Sequence, residues 1–199
     1  MSRGSRSPRS RSKALLQPFV PLLLGWSGNS DMPTLTSVEL QDVKLVSLAG
    51  KALPSAFYIN ELLMNLLHKH DVHEEIFGLY ESVIHLLQQG HDIEPVLRLF
   101  ERQLLEGIGF GLSLNRSAKS GLAVVVEKDY AYYLEHGPVE LESVFDESYI
   151  AKISGKSLLD LQNNTLESEQ SLRDAKRLMR SILNYYLGGR PLKSRELFR

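Results

Sequence analysis

From Leu53 onward apolar residues recur every three or four positions, and this helical period most constrains what the chain can become. Phe57, Tyr58, Leu62, Leu63, Leu66 and Leu67 fall on a first helix that Ser55 can cap. A second helix is predicted from about His73 to Gln89, with Ile76, Leu79, Tyr80, Val83 and Leu87 on one face. A third begins near Asp92, whose carboxylate can cap it, and places Glu94 in its first turn. Val96, Leu97, Phe100, Leu104 and Ile108 form its stripe, and Gly109 ends it. The last long helix is predicted from about Glu169 to Leu187, buried through Leu172, Ala175, Met179, Ile182 and Tyr186.

Elsewhere the text is extended. Before Gly50, Phe19 to Trp26 is apolar, Gly28-Asn29-Ser30-Asp31 is turn chemistry, and Thr34 to Val46 is rich in Thr and Val. Two such strands make a hairpin, which is marginal alone, so this zone reads as part of a domain. Between Phe110 and Pro138, Leu122 to Glu127 and Tyr130 to Leu134 flank Lys128-Asp129 and read as a second hairpin. Short helices are expected over Val139 to Ile153 and Leu158 to Gln162. The predicted class is mostly α with small β parts. A partial β domain over residues 1–50 precedes a helical domain over 51–199, which carries a β-hairpin insert at about 112–138.

With no cysteine in the chain, disulfide scaffolds, thiolate zinc sites and cysteine nucleophiles are excluded. Ala14 to Leu24 follows a basic start and superficially resembles a signal peptide. Pro18 and Pro21 break that run, no small-residue cleavage site follows Trp26, and the run is too short to span a bilayer. A buried strand, no membrane contact and a cytoplasmic protein are the expectations.

The formal net charge of -1 conceals a strong segregation. Residues 1–13 carry Arg3, Arg6, Arg9, Arg11 and Lys13 with no acid. Residues 173–199 carry eight basic groups (Arg173, Lys176, Arg177, Arg180, Arg190, Lys193, Arg195 and Arg199) against Asp174 and Glu196. Between them lie ten basic and 22 acidic groups. Basic ends on an acidic body suit contact with a polyanion, because phosphate binding needs clustered cations rather than a high overall charge. A solvated helix face is the alternative for the C-terminal stripe, and Arg195 could instead anchor a carboxylate such as Glu61.

Three further motifs bear on chemistry. His68, His70, Asp71 and His73 crowd one helix junction and offer a metal-dependent hydrolase as a rival reading, but no matched second half of a ligand set is visible. Gly107-Ile108-Gly109-Phe110-Gly111 lacks the Lys-Ser/Thr of a phosphate loop and follows a helix, so it reads as a helix stop. Arg98 and Arg102, four apart beside an apolar stripe, suit an acidic, aromatic-ended peptide; pairing with Glu94, Glu101 or Glu106 is the alternative. No catalytic constellation stands out, so no enzyme activity and no cofactor are expected. A helical protein–protein adaptor is the other non-enzymatic reading.

The runs Ala14-Leu15-Leu16-Gln17-Pro18-Phe19-Val20-Pro21-Leu22, Phe57-Tyr58-Ile59-Asn60-Glu61-Leu62-Leu63 and Leu183 through Phe198 resemble three segments of the bacterial RecO family. The spacing between them also fits, as do Phe100-Glu101 and Gly109-Phe110-Gly111-Leu112. The resemblance implies an N-terminal OB-fold joined to a helical domain. It implies a DNA-repair mediator that binds single- and double-stranded DNA, anneals complementary strands without ATP and assists RecA loading. Its implied partners are RecR and the acidic tail of single-stranded-DNA-binding protein.

By that resemblance, DNA binding is expected at Arg6, Arg9, Arg11 and Lys13, joining the stripe Arg173, Lys176, Arg177, Arg180, Arg190, Lys193 and Arg195. Tail binding is expected at Arg98, with Arg102 second. Two departures accompany it. Some members hold zinc with cysteines where Asn115 to Gly121 stands here without a thiol, so no metal is expected. Members also begin upstream, with the first OB-fold strands, so a truncated OB-fold is expected here.

Overall fold

The computed structural model describes residues 15–28, 32–41, 47–69, 71–144, 146 and 148–198. The chain divides into two compact units, residues 1–47 and 48–199. In the first, β1 (Leu22–Ser27) pairs antiparallel with β2 (Thr34–Leu40), Leu22 opposite Leu40 and Ser27 opposite Thr34, with an irregularity at Gly25/Trp26. No residue of either strand is buried; Leu23, Trp26 and Leu40 are half exposed or more. The predicted strand is present, but it begins just after Pro21 and its burial is only partial.

The second unit is mostly helical with a small sheet, as the period predicts. Its elements are α1 (Ala52–Leu66), α2 (Glu74–Gln88), α3 (Ile93–Gly107), β3 (Asp129–Tyr133), β4 (Gly137–Glu140), β5 (Ala151–Ser154), α4 (Gly155–Asn163), α5 (Glu169–Tyr186) and a closing 3-10 turn (Lys193–Phe198). Ile59 and Leu62 of α1, Val83 and Leu87 of α2 and Phe100 and Leu104 of α3 are buried. So are Leu158 and Leu161 of α4 and Leu178, Met179 and Ile182 of α5. Each fully buried side chain of this size contributes about 1.5–3 kcal/mol. No helix among the described residues is long and apolar enough to cross a membrane.

Two caps differ from expectation. The first helix starts at Ala52, so Ser55 lies inside it, where its hydroxyl donates back to the Lys51 carbonyl at 2.8 Å. Pro54 is tolerated because first-turn amides have no intrahelical acceptor. Asp92 holds the cap position of α3, but its carboxylate makes no capping bond.

The β parts also need correction. Leu122 to Glu127 is not a strand; only a single bridge, Arg116 with Ala123, forms there. The hairpin is β3–β4, turning through residues 134–136, and β5 pairs on the other side of β3 in the order β4-β3-β5. Among the described residues, strand residues of β4 and β5 and a short 3-10 turn at Leu141–Ser143 therefore stand where helices were expected over Val139 to Ile153. The 122–127 stretch instead crosses the start of α4. A β-carbon on Gly155 would lie 1.9 Å from the Val125 carbonyl oxygen, so only glycine fits there.

The last two helices lock together reciprocally. Ser154 caps α4 by accepting from the Ser157 amide, and Ser168 caps α5 by accepting from the Ser171 amide. Each inner serine then donates across the pair: Ser157 to Asp174 at 2.9 Å, Ser171 to Asp160 at 2.5 Å. Buried polar groups are thereby satisfied at the helix starts.

Candidate nucleic-acid interface

The i, i+3 and i, i+4 spacing along α5 puts Arg173, Lys176, Arg177 and Arg180 on its exposed face, opposite Ala175, Met179 and Ile182. Three of the four are already paired. Arg173 donates to Glu169 at 2.9 Å, Lys176 to Glu94 of α3 at 2.6 Å, and Arg177 to Asp174 at 2.9 Å. Arg177 also donates to the Lys152 carbonyl on β5. Arg180 forms no ion pair among the described residues. Exposed pairs such as Arg173–Glu169 and Lys176–Glu94 contribute about 0–1 kcal/mol, so a phosphate can displace those carboxylates at small cost, whereas the Asp174 partner of Arg177 is buried.

Beyond Tyr186 the chain folds back on the helix. Gly189 donates to the Asn184 carbonyl at 2.9 Å and Gly188 to the Tyr185 carbonyl at 2.8 Å, with Gly188 at φ 61°. These two bonds close the helix end with a left-handed residue, which glycine adopts without strain. Arg190 follows at once, exposed and outside any ion pair among the described residues, its amide donating to the Leu187 carbonyl at 3.2 Å.

The closing 3-10 turn is clasped by α1. Glu61 accepts from the Lys193 amide at 2.8 Å, the Ser194 amide at 2.8 Å and the Ser194 hydroxyl at 2.6 Å. Partial burial pushes this carboxyl up, but the Ser194 hydroxyl and the two amides outweigh it and hold it below the usual carboxylate value. Glu61 thus takes its donors from Lys193 and Ser194 rather than from the Arg195 guanidinium. Arg195 is half-buried and acts electrostatically on Tyr58 and Glu101.

Those two residues belong to a buried cluster. Glu101 is fully buried, and one of its oxygens accepts from both the Tyr58 hydroxyl and the Arg98 guanidinium, each at 2.6 Å. Burial pushes the Glu101 carboxyl up; Arg98 and Tyr58 pull against it. Burial and the nearby Glu101 also push the Tyr58 phenol up. Arg102 reaches Glu106 at 3.3 Å and Asn164 at 3.2 Å. The Nε atoms of Arg98 and Arg102 and the second Glu101 oxygen are buried without hydrogen-bond partners. Arg98 thus lies at the contact of α1 with α3, and Arg102 reaches Asn164 at the end of α4.

Sequence reasoning missed this burial. The signal was there, since Glu101 lies four after Leu97 and three before Leu104, on the apolar stripe itself. It also missed an aromatic contact between the ends of α3 and α5. The chain leaves α3 through Gly109, and Phe110 donates back to the Leu105 carbonyl at 2.7 Å. That return stacks Phe110 on Tyr186, with centroids 4.3 Å apart and planes at 25°. Tyr185 meets Tyr186 edge-on at 5.3 Å.

Between the bridge and the sheet, Ser117 and Ser120 both donate to Glu140, at 2.7 and 2.8 Å. The Ser117 hydroxyl leads the donors that hold this carboxyl below its usual value, with burial opposing. These donors do not fit zinc: neither is a thiol or imidazole, and both hydroxyls are committed to one carboxylate. No metal-holding group of three His, Cys, Asp or Glu occurs among the described residues. His70 of the histidine cluster lies outside the described residues, as do Arg6, Arg9, Arg11 and Lys13.

The family described as recombination protein O, C terminal, matches residues 48–196. A DNA repair protein RecO of Methylococcus capsulatus is 43% identical over 199 residues, covering all of this chain and 80% of that protein. A second, of Nitrosospira multiformis, is 37% identical and covers all of this chain and 81% of that protein. A third, of Coxiella burnetii, is 40% identical over 197 residues, covering 99% of this chain and 83% of its own length. With a helical unit of this architecture ending in the clasped 183–198 segment, the chain belongs to the RecO family of DNA repair proteins.

Proposed function

We propose that the protein is a non-enzymatic recombination mediator of DNA repair. It grips single- and double-stranded DNA, binds the acidic tail of the protein that coats single strands, anneals complementary strands without ATP, and assists RecA loading together with RecR. The observation that carries this reading is the likeness to RecO proteins along nearly the whole chain, including the C-terminal signature. Residues 1–50 act as the OB-fold portion with its basic loop, and residues 51–199 as the helical domain with a degenerate zinc-finger-like insert at 112–138. No bond is made or broken; the work is neutralisation of two phosphate backbones and displacement of their coat in the bacterial cytoplasm.

In this reading DNA meets Arg6, Arg9, Arg11 and Lys13 and the α5 face from Arg173 to Arg180, continued by Arg190, Lys193 and Arg195. Each phosphate contact releases counterions, so affinity falls steeply with salt. Charge reversal of Arg9 and Arg11 to Glu lowers affinity and reduces the slope of log affinity against log salt by about one for each phosphate no longer held. An unchanged slope removes that loop from the reading.

The tail carboxylates meet Arg98 and Arg102, whose side chains are 9% and 11% exposed. Because Arg98 is embedded beside Glu101, Arg102→Ala is the cleaner test. It should weaken binding of an acidic, phenylalanine-ended peptide while leaving DNA binding intact. Equal losses in both would point to a folding defect and leave the tail site without support.

A further inference from the structure

The strand-binding reading leaves unassigned how a bare strand is distinguished from a duplex, and the end of α5 offers a means. We propose that Tyr185, Tyr186 and Phe110 form a stacking shelf for unpaired bases, with Arg190 holding the adjacent phosphate; this rests on the proposed DNA binding.

Four observations carry it. First, Phe110 and Tyr186 are already stacked at 4.3 Å, and Tyr185 braces Tyr186 edge-on, so the rings are held rather than free to rotate. Second, the shelf is open: Phe110 is 44% and Tyr185 56% exposed. Third, both flanking chain ends turn back on their own helices, through Gly109 and Gly188, which fixes where the rings stand. Preorganised rings lose little entropy when a base covers them. Fourth, Arg190 is exposed and lies only four residues beyond Tyr186, which puts a cation close to the rings along the chain.

Charge sets the direction of the strand. Tyr186 also lines a cavity together with Glu135, His136, Tyr132 and Ile182. The Glu135 carboxylate there repels phosphate, which favours a backbone path past Arg190. Stacking is sequence-tolerant, because every base has a π-face, and it vanishes when the base is removed. A duplex hides its bases and gains nothing from the shelf.

The test compares the full chain binding a fluorescent oligothymidylate with an abasic backbone of equal length, at fixed salt. The unmodified protein should favour the thymidylate by about tenfold, one base stacked. Tyr185→Ala should bring that ratio close to one and leave abasic affinity unchanged, whereas Tyr185→Trp should retain the preference. Arg190→Ala should weaken both strands alike. A ratio near one for the unmodified protein, or one that survives Tyr185→Ala, overturns the shelf while DNA binding stands. If Tyr185→Ala keeps the base preference but loses an acidic, phenylalanine-ended peptide, the shelf serves a protein ligand instead, and the proposal is overturned. No binding of either strand at low salt overturns the DNA reading and the shelf together.

Discussion

Arg98 and Arg102 on α3 and Arg173 and Arg177 on α5 share a spacing of four, yet they meet opposite surroundings. The Arg98 side chain is 9% exposed and pairs with a Glu101 that is fully buried; Arg173 is 64% exposed and pairs with a Glu169 that is more solvated still. Spacing decides which residues share a helix face, but the neighbouring apolar stripe decides what that face is for. Where Glu101 sits on the stripe, Arg98 is drawn into the core beside it; Arg177, although paired with the buried Asp174, stays 57% exposed. Where the stripe lies opposite, the arginines stay at the surface and can exchange one anion for another.

Breaking the buried pair should have the largest effect. Glu101→Ala leaves Arg98 buried without its carboxylate and the Tyr58 hydroxyl without an acceptor, and should cost about 3–5 kcal/mol in urea unfolding. A loss below about 1 kcal/mol would mean that the pair is solvated like its α5 counterpart.

Glu61→Ala comes next. It removes an ionised acceptor of three hydrogen bonds and should cost about 2 kcal/mol. The loss should concentrate in the last residues, read as faster amide exchange at Lys193 and Ser194. Uniform protection across the chain would contradict the clasp.

Acid sharpens the contrast between these two carboxylates. Glu61 is depressed in the folded state, so its contribution is present above the unfolded value of about 4.3 and is lost as pH falls through the lower folded value. Glu101 is raised, so its contribution is complete below that same value and declines as pH rises toward the folded one. Glu61→Gln should therefore flatten the acid limb of a stability–pH curve, and Glu101→Gln the limb above it. The same limb flattened by both would contradict the opposite signs.

The smallest effect on stability is expected at the surface. Arg173→Ala and Arg180→Ala should each change unfolding free energy by about 0.5 kcal/mol or less. In DNA binding, Arg180→Ala should cost more than Arg173→Ala, because Arg180 has no competing carboxylate among the described residues. The reverse order would show that the α5 pairs do not compete with phosphate.

Much of the helical unit was legible because its signals are local. The limits of α2 and α5 fall within one residue of those predicted, since stripe, first-turn acids and terminal glycines all lie inside or beside each helix. The sheet was not legible, because β5 pairs with a strand about twenty residues earlier, and four-residue strands carry no period of their own. Pro138 and Gly137 in β4 further hide it, as residues that weaken local strand propensity. In the candidate site, the exposed cations were legible from spacing, but their partners were not. Glu94 and Lys152 come to α5 from distant segments, and Glu61 reaches across 132 residues to Lys193.

Annealing tests the central claim most directly. Complementary strands coated with their cognate single-stranded-DNA-binding protein are mixed with the purified chain, without ATP, across a salt series. The account predicts rapid annealing that slows steeply as salt rises and weakens on charge reversal of the basic residues. Absence of annealing, together with no DNA binding at low salt, would contradict it.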